Sequence, residues 1–165
     1  MILEQGIVQP KNLWVLGVNE ILEMDDCPSD DEATLMNKEE MRKWNRRGVH
    51  VVYKKDAVSN LFEISLTGPT YISVDMDVGS LVSIYSARFM NCFGLTDQEF
   101  IETLSKLSDI IHESKVPLIG MDIMEIDIHL LEATSYSPFI DYTKPIVKEI
   151  FSIFSEVLDN DNCGQ

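Results

Sequence analysis

The sequence predicts an α/β fold, three-layer αβα, built around a mostly parallel sheet. Three observations lead there. Short apolar runs rich in β-branched residues alternate with longer segments whose apolar residues recur at helical spacing. The apolar runs are nearly continuous rather than strictly alternating, as expected of strands covered on both faces. Finally, 165 residues, 45% hydrophobic and 25% charged, with 8 Gly and 6 Pro, suit one packed core and exclude collagen-like, low-complexity and wholly disordered classes. Residues 1–165 are therefore expected to form a single domain.

The elements follow in order. Leu13-Trp14-Val15-Leu16-Gly17-Val18 has the length and composition of a strand. Residues 20–36 carry Asp25-Asp26, Pro28 and Asp30-Asp31-Glu32 without apolar periodicity, which predicts a solvated acidic loop. Asn37 and Glu40 have capping-box spacing, Met41 and Trp44 give an apolar stripe, and Gly48 stands where a left-handed C-terminal cap is expected, so a helix should run between them. Val49 to Tyr53 is a second strand. After the turn signal Gly68-Pro69, Tyr71 to Val78 reads as a third strand that ends in acid, Asp75 and Asp77. Thr96 and Glu99 again have capping-box spacing and open a helix with Phe100, Ile101, Leu104, Leu107, Ile110 and Ile111 on one face. Pro117 to Ile126 is a fourth strand, with Glu125 near its end. From Thr143 a last helix places Ile146, Val147, Ile150, Phe151, Phe154, Val157 and Leu158 on one side, with Pro145 in its first turn, where proline is tolerated. Residues 159–165 should form a frayed tail.

Charge and cysteine content narrow the function classes. With 13 Lys+Arg against 28 Asp+Glu, the net charge of −15 repels phosphate backbones and anionic membranes, so neither nucleic acid nor a membrane surface is expected as a partner. No apolar run reaches the length of a membrane span. Met1 to Gln5 lacks the basic start and apolar stretch of a secretory signal, so a cytoplasmic location is expected. Cys27, Cys92 and Cys163 show no C-x-x-C spacing and imply neither a disulfide framework nor a thiolate metal site.

The chemistry is at the strand ends. In parallel α/β sheets ligands collect at the carboxyl ends of the strands, where Asp75, Asp77 and Glu125 fall. Positions two apart on a strand face the same way, so Asp75 and Asp77 should present carboxylates about 7 Å apart along the backbone. Two such anions repel each other and lose hydration, so they are protonated, solvated or neutralised by a cation. Hard oxygen donors suit Mg²⁺, Mn²⁺ or Ca²⁺.

Wider motifs narrow the choice. Ser73-Val74-Asp75-Met76-Asp77 resembles the S-x-D-x-D strand of the ureohydrolases, the family of arginase, agmatinase and formiminoglutamase. Gly94-Leu95-Thr96-Asp97-Gln98-Glu99 is similar to its G-L-[TS]-x-x-E helix start, and Gly120-Met121-Asp122-Ile123-Met124-Glu125-Ile126 to its G-x-D-[IV]-x-E-[VI] strand. Asp141-Tyr142-Thr143 resembles the start of its closing helix. The order of these landmarks, and the spacing from Asp77 to Gly94-Leu95, resemble those of the carboxyl-terminal half of the arginase fold. The resemblance implies that Asp75 bridges a pair of Mn²⁺ ions, that Asp77 binds one of them, and that Glu125 pairs with a guanidinium or amidine substrate. It implies metal-assisted hydrolysis of a C–N bond at a guanidinium or formimino carbon.

The chain also departs from the family. The upstream ligand motifs G-G-D-H and D-A-H-x-D are absent from the sequence, and His50, His112 and His129 stand in no comparable setting. A two-metal site is thus incomplete in this chain alone, and a homo-oligomer or a companion chain carrying the missing motifs is the expected partner. The family's D-P turn after the strand is replaced by Gly79 to Phe93, in which Arg88 and Asn91 are candidates for contacting a substrate carboxylate or amide. Two other readings compete. One is a non-catalytic binding or assembly subunit derived from the family. The other takes Asp75 and Asp77 as the D-x-D of a haloacid-dehalogenase-like phosphatase.

Overall fold

The computed structural model describes residues 4–18, 32–59, 62–81, 83–87, 93–133 and 141–162. The chain divides into two compact units, Met1–Phe62 and Glu63–Gln165. Arg88, Asn91 and the three cysteines lie outside the described residues, as does the expected acidic loop up to Asp31.

In the first unit, a 3-10 turn at Pro10–Asn12 leads into β1 (Trp14–Val18), followed by α1 (Glu32–Arg47), β2 (His50–Tyr53) and the short α2 (Lys54–Val58). β1 and β2 pair in parallel, with Trp14 opposite His50, Val15 opposite Val51 and Leu16 opposite Val52. The register steps between Leu16 and Val18, where Gly17 takes φ +81°, a conformation that glycine adopts without a Cβ penalty.

The helix expected to begin at Asn37 starts earlier, at Glu32. Glu32, Ala33, Leu35 and Met36 are all good helix formers, so Asn37 sits inside the helix instead of capping it. Glu40 serves the helix surface: its carboxylate accepts a hydrogen bond from Trp44 Nε1 at 2.9 Å and one from Lys43 at 3.4 Å. The C-terminal end is as expected. Val49 N–H donates to Trp44 O and Gly48 N–H to Asn45 O, the two bonds of a Schellman cap, with Gly48 at φ +91°.

In the second unit, β3 (Thr70–Asp75) and β4 (Leu118–Met124) pair in parallel, and α3 (Asp97–Ser114) lies between them in sequence. α3 opens with the expected capping box, Thr96 Oγ1 accepting from Glu99 N–H and Glu99 accepting from Thr96 N–H. The short α4 (Ile128–Ala133) is capped by Asp127, whose Oδ1 accepts from the N–H groups of His129 and Leu130. α5 (Thr143–Asn162) carries the helix into the segment expected to fray; after Pro145 in its first turn no glycine or proline occurs before Gly164.

Core formation in this unit follows the helical and strand periodicities. Ile72 and Val74 of β3, Leu118 of β4, Phe100, Leu104 and Ile111 of α3, and Ile146, Ile150 and Phe154 of α5 are buried. α5 packs against both α3 and β4. Together the two units show an α/β fold with parallel strands in small sheets. Among the described residues, no helix is long and apolar enough to cross a membrane.

Candidate functional site at the ends of β3 and β4

β3 ends at Asp75, three residues earlier than its apolar run suggests, and Met76–Val78 form a 3-10 turn. Tight packing forces that turn. Met76 is fully buried, and Gly79 N–H returns to Met76 O. A Cβ on Gly79 would lie 2.2 Å from Ile84, and one on Gly94 would lie 2.4 Å from the Gly79 backbone. Consequently Asp75 and Asp77 do not share a strand face: one is the last strand residue and the other lies in the turn beyond it.

The segment after Asp77 is structured. Gly79 bridges Leu95, Ser83 and Ile84 donate N–H to Ser80 O, and Ser80, Ser83, Ile84, Ser86 and Ala87 are buried. Asp141 anchors this loop to the start of α5. Its Oδ1 accepts from the N–H groups of Tyr85 and Thr143 and from Thr143 Oγ1, and its Oδ2 accepts from Ser86 Oγ.

The register places Asp75 opposite Met124, so β3 and β4 finish level. Glu125 follows at once with φ +59°, a left-handed conformation that is strained for a residue with a side chain. This kink ends β4 before Ile126, which instead forms an isolated antiparallel bridge with Ala87.

The negative charge of Glu125 acts on both Asp75 and Asp77, and that of Asp75 acts on Asp77. Asp75 remains exposed as a residue, yet partial desolvation at the strand end raises its carboxyl above the usual range, helped by the negative charges of Glu125 and Asp122. Asp77 is also raised, first by burial and then by Asp75 and Glu125, with a backbone hydrogen bond opposing the shift. Such a group attracts protons or metal cations. Even so, no cluster of three or more His, Cys, Asp or Glu side chains able to hold a metal ion forms among the described residues.

The histidines stand apart from these acids. His50 stacks on Trp14, ring centroids 4.0 Å apart, with its Nε2 3.1 Å from Lys11 O. His112 and His129 are exposed on α3 and α4. Sequence reasoning missed Asp122 and Tyr71. Tyr71 Oη donates to Asp122 Oδ2 at 2.9 Å; the available signal was the i, i+2 spacing of Tyr71, Ser73 and Asp75 on β3, with Gly120 and Asp122 on the paired strand.

The sequence profile of the arginase family matches residues 1–136. The chain belongs to the arginase family. That membership sets aside the phosphatase reading. No curated protein matches the chain by sequence. Among solved structures, it resembles Helicobacter pylori arginase at TM-score 0.62 and 17% identity, covering 94% of this chain and 47% of that one. A hypothetical agmatinase from Burkholderia thailandensis gives TM-score 0.60 and 14% identity, covering 99% and 44%. The Trypanosoma cruzi formiminoglutamase with Mn²⁺ gives TM-score 0.51 and 16% identity, covering 70% and 38%. At these identities the likeness is one of fold, and the chain spans less than half the length of each relative.

Proposed function

We propose that this chain supplies the carboxyl-terminal half of the site of a metal-dependent C–N hydrolase that acts on a guanidinium or formimino compound. The observation that carries this reading is the placing of Asp75, Asp77 and Glu125 at the level ends of two parallel strands, where burial and the charge of Glu125 raise both aspartates.

The donor set fits manganese in kind. Asp75 and Asp77 offer the hard oxygens that Mn²⁺ accepts, and these two side chains would hold it. Their number falls short of a binuclear site, so the remaining donors would come from a companion chain or from a longer chain of which this sequence is a part. When bound, the metals supply the activated water that such a hydrolysis needs. Glu125 accepts charge-assisted hydrogen bonds from the planar cation of the substrate and orients its carbon over the two aspartates. Glu125 stands directly after β4 at a strained, left-handed backbone position.

A second reading is a non-catalytic binding or assembly subunit, favoured by the lack of a third metal donor near the aspartates among the described residues. One experiment separates the two. Mn²⁺ is titrated into the chain and into Asp75→Ala, alone and with any companion chain, and urea or ammonia release is followed. Tighter binding by the wild-type chain and product release with the companion support the hydrolase. Weak and identical binding by both chains removes the metal assignment.

A further inference from the structure

The left-handed backbone at Glu125 is held between two fixed points. Up to Met124 the chain belongs to β4, paired in parallel with β3, Met124 standing opposite Asp75. From Ile126 onward it is tied elsewhere. Ile126 forms an antiparallel bridge with Ala87, Asp127 N–H donates to Ser86 O at 2.8 Å, and the Asp127 carboxylate caps α4. Only Glu125 lies between the two, so it takes up the change of direction, at φ +59°. Glycine would adopt that conformation without a Cβ penalty, yet the sequence has glutamate there. A strained position persists only where its surroundings over-determine it, and such an outlier points to a use for the side chain it carries.

The surroundings are residues 83–87, themselves fastened to the start of α5. Tyr142 N–H donates to Ser83 O and Tyr85 N–H to Asp141 Oδ1. Ser86, fully buried, donates from Oγ to Asp141 Oδ2. Ser86 thus joins two distant segments: its hydroxyl reaches Asp141, and its carbonyl reaches Asp127, two residues beyond Glu125. We infer that Ser86 and Asp141 are positioning residues which, through Asp127, fix the backbone from which the Glu125 carboxylate meets a planar guanidinium or amidine cation, on the reading of Glu125 as the partner of that cation. Neither residue touches the cation. Asp141 acts through the Ser86 hydroxyl, and Ser86 acts through the main chain.

The test is nuclear magnetic resonance of the full chain, read in three ways: the Glu125 Cα and Cβ shifts, which report its backbone conformation; amide exchange of Asp127 relative to Leu104 in the core of α3; and titration with methylguanidinium. Ser86→Ala removes the hydroxyl and leaves the backbone bonds. Ser86→Cys keeps the bulk with a weaker donor and should show the same changes more mildly. Asp141→Asn preserves the link, because its amide can donate to Ser86 Oγ, and Ile111→Val only thins the buried core under α3. Ser86→Ala should speed Asp127 exchange about tenfold more than that of Leu104, shift Glu125 away from left-handed values and weaken methylguanidinium binding about tenfold; Asp141→Asn should resemble the wild type. If the serine variants keep the wild-type Glu125 shifts or the wild-type binding, or if Ile111→Val reproduces their losses, the positioning role is overturned while Glu125→Gln still loses the cation. If the wild type binds methylguanidinium no better than Glu125→Gln, the substrate role of Glu125 fails and the inference goes with it.

Discussion

Gly94→Ala is the substitution whose effect the structure states most sharply. A Cβ at Gly94 would lie 2.4 Å from the Gly79 carbonyl carbon and 2.5 Å from both Gly79 O and Val78 O. These are backbone atoms, so no rotamer change relieves the overlap. The chain must separate where Gly79 bridges Leu95, which breaks the bonds from Ser80 N–H to Leu95 O at 2.7 Å and from Leu95 N–H to Val78 O at 2.9 Å. Overpacking contributes about 1–3 kcal/mol and each lost bond about 1 kcal/mol, so a destabilisation of about 3–5 kcal/mol is expected. Because the displaced backbone adjoins the turn that carries Asp77, Mn²⁺ binding should weaken as well. Gly68→Ala is the matched control: nothing lies within 4 Å of its Cβ, and a gain of about 0.4–1 kcal/mol is expected from the stiffer unfolded chain. Urea denaturation of both variants measures the difference. Stabilities within about 1 kcal/mol of each other, well short of the roughly 3–5 kcal/mol expected from overpacking and lost bonds together, would refute the close-approach argument.

The remaining expectations concern the acids. The folded-state carboxyls of Asp75 and Asp77 are raised above their ordinary value; below that value both states hold the proton, and as pH climbs through the raised one the native state loses stability. Urea midpoints followed from acid toward neutral pH should therefore carry a falling component that the Asp75→Asn/Asp77→Asn double variant lacks, and superimposable profiles would contradict it. Glu125→Gly removes a side chain from φ +59° and a like charge from beside Asp75, so a gain of about 1 kcal/mol in denaturation is expected, with loss of any guanidinium binding measured by calorimetry. Asp141→Ala strips acceptors from Tyr85, Ser86 and Thr143 and should destabilise the chain by about 2–4 kcal/mol in the same assay.

Local chemistry made much of this legible in advance. The box at Thr96 and Glu99, the glycine stop at Gly48, and the amphipathic faces of α3 and α5 depend on residues close in sequence, so their spacing carries the structure. The parallel pairing of β3 and β4 followed from continuous apolar runs separated by a helix. By the same token Asp75, Asp77 and Glu125 could be placed near strand ends, since acid terminates each run.

What spacing missed were features decided by contacts between distant segments. Alternation along Tyr71 to Val78 implied one strand face for both aspartates, but packing of Gly79 against Ile84 and Gly94 turned the chain after Asp75. Asn37 and Glu40 had the form of a helix start, yet helix formers upstream extended α1 past them.

Short-range order, and the family to which this chain belongs, were written in the residue pattern, because capping, periodicity and motif spacing act over a few positions at a time. The mutual charge of the four acids, the left-handed backbone at Glu125 and the reach of Tyr71 across Gly120 arise only when β3 and β4 lie side by side. Tertiary structure alone decided them, since the strength of an electrostatic or steric contact depends on separation in space, which separation along the chain does not specify.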